Sequence, residues 1–331
     1  MHRAAHEVGA WVMLALGIDE NGLGPRLGPL VVTSIAARVD ARGARAISRR
    51  ARGKLALRLG DSKDLVSFGK ADLGEAWARA IPMALGYAHA TPQALLATLA
   101  LDEKATLEAP CPDATHRAQC WTHAKRFEAD DTLVNLIAND LACLEKRGIR
   151  VVGAKSVIVC NDTLNRAAAL GTSRFRVDLG AMERLLLAAR KEFGEEVDAV
   201  CGKVGGFDRY PAHFSHLSGY LYTTLEEGRA ASTYRIAGLG RVSWVRDADA
   251  SNLLVGMASL VGKWVREALM GNIVRFYQGH LGDLTPASGY HDPVTSRFID
   301  ATAATRKRLR IAPSCFEREA ARKETLSASR G

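Results

Sequence analysis

The chain has 331 residues, with 45 Lys plus Arg against 36 Asp plus Glu, a formal net charge of +9 and an isoelectric point near 9.4. Hydrophobic residues make up 47%, which supports a packed core and excludes a largely disordered chain. The six cysteines are too sparse for a disulfide scaffold, and no apolar run approaches the roughly 18 residues of a membrane span, so a soluble cytoplasmic protein is expected.

Ala10 to Ile18 is apolar but short, and no small-residue cleavage site follows it before Asp19 and Glu20. It reads as a first strand and not as a signal peptide. Residues 11–19 and 29–39 are expected to be buried strands joined by a Gly/Pro turn, followed by helices near 41–52 and 70–84. Residues 85–130, with Pro110 and Pro112, read as irregular, either a loop-rich insertion or a small subdomain. A helix is predicted over 132–147, where Leu133, Leu136, Ile137, Leu141 and Leu144 recur. A strand follows at 151–160, a helix near 178–193, a strand at 197–202 and short strands within 231–246. The strongest helical pattern is 252–277, with Leu253, Met257, Leu260, Val261 and Trp264 on one stripe. Residues 321–331 read as a frayed tail. Strands and helices interleave, which predicts an α/β layered domain.

The charge is unevenly placed. Residues 1–65 hold 11 basic and 6 acidic residues (net +5), residues 66–149 hold 8 and 11 (net −3), and residues 150–331 hold 26 and 19 (net +7). The densest cluster runs from Arg38 to Arg58, with Arg42, Arg45, Arg49 and Arg52 at helical spacing. Such a run is either a solvated helix face or a footprint for a polyanion.

Gly22, Gly24 and Gly28 follow the first strand in GIDENGLGPRLGP (17–29). A dinucleotide-binding turn would need a helix directly after the glycines. Here Pro25 and Pro29 intervene and a β-rich stretch follows, which argues against that reading. The alternative centres on the adjacent carboxylates Asp19 and Glu20. On a regular strand they point to opposite faces, unless a twist or bulge brings them together.

Five segments, taken in order, carry a resemblance to the type 2 ribonucleases H. They are GIDENGLGPRLGPLVV (17–32), DSKDL (61–65), VDAVCG (197–202), DADASNLLVGMASLVGKWVRE (247–267) and ASGYHDPVT (287–295). The resemblance covers about 11–65 and 150–300, or 206 of the 331 residues. It implies a ribonuclease H-like α/β fold, a mixed central sheet flanked by helices, over 11–300. That domain would be interrupted by an insertion at 66–149 and followed by a C-terminal helix and tail at 301–331. It further implies a metal-dependent endonuclease acting on RNA–DNA hybrids or on ribonucleotides embedded in duplex DNA, leaving 5′-phosphate and 3′-hydroxyl ends.

Carried over by position, the four acidic residues of that family fall on Asp19, Glu20, Asp198 and Asp249, as catalytic and metal-binding residues. Two Mg²⁺ or Mn²⁺ ions roughly 3.5–4 Å apart can activate water and stabilise a leaving oxygen, and such cations prefer carboxylate ligands. By the same resemblance Gly22, Leu23, Gly24 and Tyr290 would sense the ribose 2′-OH, and Lys63 and Lys263 would contact phosphate. The chain departs from the family at Asn21, Leu23, Arg246, Asp247 and Glu267, which marks a divergent member. A binding protein on the same fold with weak or no cleavage is the alternative. Separately, Cys111, His116, Cys120 and His123 offer four zinc-type ligands in C-x4-H-x3-C-x2-H, a spacing that is otherwise a coincidence in a Cys- and His-bearing loop.

Overall fold

The computed structural model describes residues 11–122 and 124–319. In chain order it contains β1 (Met13–Asn21), β2 (Leu30–Val39), α1 (Ala41–Ile47), α2 (Ser62–Leu65), α3 (Asp72–Ala84), α4 (Pro92–Leu99), α5 (Lys104–Glu108), α6 (Ala114–Trp121) and α7 (Asp131–Glu145). Then come β3 (Ile149–Val159), α8 (Asn161–Ala169), α9 (Arg174–Phe193), β4 (Val197–Gly202), β5 (Tyr222–Glu227), β6 (Ala231–Ile236) and β7 (Gly240–Val245). The chain closes with α10 (Ala248–Ser251), α11 (Leu253–Leu281), α12 (Pro293–Arg308) and α13 (Pro313–Phe316).

The seven strands form one mixed sheet in the order β3-β2-β1-β4-β7-β6-β5. The central strands β1, β4 and β7 are parallel, and the others pair antiparallel. This is the α/β architecture of a mixed central sheet flanked by helices that the motifs predict.

Strand alternation sorts β1 between two cores. Leu14, Leu16 and Ile18 join Leu179, Met182 and Leu185 of α9 on one face. Ala15 joins Leu254, Met257 and Val261 of α11 on the other. Gly17 lies on the α11 face, and a Cβ there would stand 2.2 Å from the Leu254 carbonyl carbon. The missing side chain therefore lets the N-terminal turn of α11 rest on the strand just before Asp19. Asn252 starts that helix by accepting hydrogen bonds from Leu254 N (2.9 Å) and Val255 N (3.2 Å).

Several sequence expectations shift. The helix expected over 41–52 ends at Ile47, and a 3₁₀ turn follows at Gly53–Leu57. Residues 85–130 are not irregular: α4 and α6 are capped by Thr91 and Asp113, whose side chains supply the acceptors that start each helix. The 66–149 segment does not stand apart from the core. Ile81, Leu95, Leu99 and Ile137 share one apolar cluster with Ala15, Val31 and Val261. Glu75 holds the segment to α11, accepting from Glu128 N (2.9 Å), Ala129 N (2.8 Å) and Trp264 Nε1 (3.2 Å). The exposed strand β5 carries no alternating apolar pattern, so periodicity could not find it. The C-terminal helix begins at Pro293, not 301, because Asp292 caps it through Thr295 N. The tail expected at 321–331 lies outside the described residues. No described helix is long and apolar enough to cross a membrane.

Candidate active site

The site lies at the carboxyl ends of the three parallel strands. Asp19 and Glu20 close β1, Gly202 closes β4, and Asp249 follows β7 in α10. Alternation places Asp19 on the α11 side with Asn21, whose Nδ2 donates to Ser259 O at 3.2 Å. Asp19 is only 8% exposed. Its carboxyl is pushed well above the usual carboxylate range, by burial and then by repulsion from Glu20, with Asp249 adding to it. Glu20 is pushed up to about 8, by burial and then by Asp178. Asp249 is also raised, by burial and by Asp61. Lys63 enters from α2. Burial opposes its charge, but the fields of Asp61, Asp249, Glu20 and Asp19 prevail and raise it. Asp19, Glu20, Asp249 and Lys63 thus act on one another's charge.

Asp198 is not brought to them. The β1–β4 register pairs Ala15 with Asp198 and Ile18 with Cys201, so Gly202 is the β4 residue level with Asp19. Asp198 sits four residues, or about 13 Å, back along the strand. There it faces its β7 partner Arg241, with Oδ2 3.9 Å from Nη1. The reason is regular pairing: no bulge interrupts β4, so the register alone fixes its height. A Cβ on Gly202 would lie 2.7 Å from Asp19 Oδ1.

Two further acids, Asp61 and Asp178, act on the charge of these carboxyls. Asp61 caps α2 through Lys63 N (2.8 Å) and faces Asp249. Asp178, in the first turns of α9, is fully buried. Its signal in the sequence is an acid on the stripe shared with Met182 and Leu185.

The glycine turn is held from both ends. Gly22 and Gly28 have φ of 89° and 80°, a region that favours glycine. Arg318 threads beneath the turn, donating from Nη1 to Gly22 O (2.6 Å) and from Nη2 to Gly28 O (2.5 Å). Burial, with Arg266 and Arg174 nearby, lowers its pKa to about 9. No local pattern identifies Arg318, because its partners lie almost 300 residues away. Arg266, fully buried, donates to Ser288 O (3.0 Å) and lies under the Tyr290 ring, with Cζ 4.6 Å from its centroid. Lys263 Nζ is 5.7 Å from the same ring. Gly22, Leu23, Gly24, Lys263 and Tyr290 therefore form one wall, with His291 Nε2 3.2 Å from Gly24 O.

Arg42, Arg45, Arg49, Arg50, Arg52 and Arg147 line one cleft together with Leu253, the first residue of α11, and α1 follows the end of β2 that pairs with the amino end of β1. Among the described residues only Arg42 has an ion-pair partner there, Asp40 at 4.0 Å. Although α1 ends at Ile47, the following turns keep the arginines gathered.

The zinc-type quartet does not assemble among the described residues. His116 Nδ1 lies 2.8 Å from Asp113 Oδ1, and its Nε2 accepts from Ala312 N at 3.0 Å, so both ring nitrogens are engaged. Cys111 and Cys120 hydrogen-bond each other, which lowers the Cys111 thiol to about 7. His123 lies outside the described residues. No group of three or more His, Cys, Asp or Glu side chains among the described residues is closed around one point as a ready-made metal site. At the carboxylate site the donor chemistry nonetheless fits a hard divalent cation. The donors are all carboxylate oxygens, and both oxygens of Asp178 are buried with no hydrogen-bond partner.

Fold and site together define an α/β protein with a carboxylate centre at the ends of its parallel strands. No family model and no curated protein matches the sequence. Among solved structures the chain is similar to a chain of the PCNA:RNase HII complex from Archaeoglobus fulgidus, with 19% identity over 95% of this chain and 98% of that one and a TM-score of 0.44. It is also similar to Bst-RNase HIII in complex with Mn²⁺ (14% identity, 94% and 67% covered, TM-score 0.44) and to ribonuclease H2 from Pyrococcus horikoshii OT3 (14%, 92% and 92%, TM-score 0.43).

Proposed function

We propose that the protein is a metal-dependent endonuclease of the ribonuclease H type. Its substrate would be RNA–DNA hybrid or duplex DNA containing ribonucleotides, and its products would carry 5′-phosphate and 3′-hydroxyl ends. The observation that carries the reading is the meeting of Asp19, Glu20, Asp249 and Lys63, from three distant segments, at the ends of the parallel strands. Asp19, Glu20 and Asp249 would hold Mg²⁺ or Mn²⁺. When bound, the cation would supply charge neutralisation at the phosphate and an acidified water. Lys63 places a cation among the carboxylates, where it would hold a phosphate oxygen in register. The turn at Gly22–Gly24 and the Tyr290 ring would read the ribose 2′-OH, which both donates and accepts. The arginine cleft would carry the phosphate backbone running away from the site.

One observation favours a second reading, a hybrid-binding protein with weak or no cleavage. The strand β4 supplies no acid beside Asp19, since Gly202 stands there and Asp198 faces Arg241. A duplex carrying one ribonucleotide and a long RNA–DNA hybrid, each incubated with Mg²⁺ or Mn²⁺ beside an Asp19→Asn control, separate the two. Cleavage lost in the control supports the nuclease. Binding of both substrates without metal-dependent cleavage supports the second reading.

A further inference from the structure

On the α9 face of the sheet, a cavity of about 410 Å³ opens between α9, the end of β3 and the segment Phe214–His216 that follows β4. That volume admits a nucleotide-sized group. Its cationic and hydroxyl lining includes Arg176, Arg184, His213, His216, Thr163 and Thr172, and none of the described residues that line it is an acid. The wall is held in place. Glu183, fully buried beneath it, accepts from Ser215 N (3.0 Å) and Leu217 N (2.9 Å), so its charge is spent on the loop. Gly180 lets that loop rest on α9, since a Cβ there would stand 3.1 Å from Ser215 Oγ. His213 stacks on Phe207, with ring centroids 4.1 Å apart. Arg184 is fixed by Asp102 and keeps further N–H donors on its guanidinium. Arg176 is exposed and has no ion-pair partner among the described residues.

The sheet register sets the height of this pocket. Glu20 pairs with Val32, and Val32 pairs with Val157, which lines the cavity. Val157 is therefore level with Glu20 and two strands away, about 10 Å. Alternation turns Glu20 to the same face as Ile18, which shares its apolar cluster with Val157. We propose that the pocket binds a phosphate group, either of a nucleic-acid strand lying across this end of the sheet or of a free nucleotide. Arg176 and Arg184 take its oxygens as charge-assisted donors, and the His216 ring and the threonine hydroxyls complete the set. The proposal does not depend on a metal at the carboxylates.

The test is calorimetric titration of the full chain, in EDTA, with adenosine 5′-monophosphate and separately with a short RNA–DNA hybrid. Wild type is compared with Arg176→Ala and His216→Ala, both at exposed positions, and with Arg229→Ala, which removes one exposed charge from the turn between β5 and β6. Thermal unfolding checks that each variant folds. Losing a charge-assisted hydrogen bond in Arg176→Ala is expected to weaken binding about tenfold, with His216→Ala weaker than wild type and Arg229→Ala unchanged. A loss confined to the hybrid identifies the phosphate as that of a nucleic-acid strand, and a loss with the mononucleotide identifies a free nucleotide. The proposal is overturned if folded Arg176→Ala and His216→Ala bind both probes as wild type does, if Arg229→Ala loses as much, or if wild type binds neither probe.

Discussion

Arg318 and Gly22 are 296 residues apart, and the guanidinium Nη1 of one donates to the carbonyl of the other at 2.6 Å. The same side chain also serves Leu23 O (3.2 Å), Gly28 O and Asn161 Oδ1 (3.2 Å). The described end of the chain thereby clamps the turn that leaves Asp19 and Glu20. Replacing Arg318 with Ala strands buried carbonyls, each worth about 1–3 kcal/mol. Chemical denaturation of Arg318→Ala is expected to show a loss of about 3 kcal/mol or more, with discrimination between ribonucleotide and deoxyribonucleotide substrates reduced. Unchanged stability would mean that water replaces the clamp.

Asp19→Asn keeps the size of the side chain and removes its charge. Cleavage of hybrid in Mg²⁺ or Mn²⁺ is expected to fall below detection, while hybrid binding measured by fluorescence anisotropy in EDTA stays near wild type. Retained cleavage would remove Asp19 from the proposed metal site.

Glu20 and Asp19 tie stability to pH in the metal-free protein. Folding raises Glu20 from its ordinary 4.5 to about 8, through burial and then Asp178, and it raises Asp19 as well. Between those limits the folded state holds protons that the unfolded state has released. Stability is therefore full below about 4.5, falls as the pH rises, and levels off above about 8. The slope is at most about 1.4 kcal/mol per pH unit for each such group. Urea titrations in EDTA from pH 4 to 9 are expected to show this decline, and Glu20→Gln to flatten it. A curve that rises with pH over this window would contradict the protonated state of the pair.

The arginine cleft makes a salt-dependent prediction. Phosphate contacts release counterions, with about 0.7–0.9 added to the salt slope for each contact. The double variant Arg45→Ala/Arg49→Ala is expected to weaken hybrid binding and lower the slope of log K against log salt by roughly 1–2. Folding should be unaffected, because among the described residues neither side chain holds an ion-pair partner. Equal slopes would show that the duplex takes another path.

Much of the site could be read from the chain because its parts are local. Asp19 and Glu20 sit together at a strand end, DSKDL brings Lys63 with its own cap, and Asn252 announces the start of α11 three residues after Asp249. Asp198 shows where that reading failed. Its segment is a strand as expected, but in its pairing with β1 an acid four positions from the strand's end is carried past the site by a regular register. Asp61 and Asp178 went unnoticed for the opposite reason, since their own segments explain them as a helix cap and a helix residue.

The sequence by itself determined the alternation that buries β1 on both faces, the capped helices and the clustering of acids near glycine turns, because those depend on neighbours within a few residues. The tertiary structure alone decided which acids meet. That choice is set by the β1–β4 register, by the close approach of α11 at Gly17, and by Arg318 crossing back to Gly22. Each joins residues remote in the chain, and the energies that select them, burial and long-range hydrogen bonding, exist only once the core has closed.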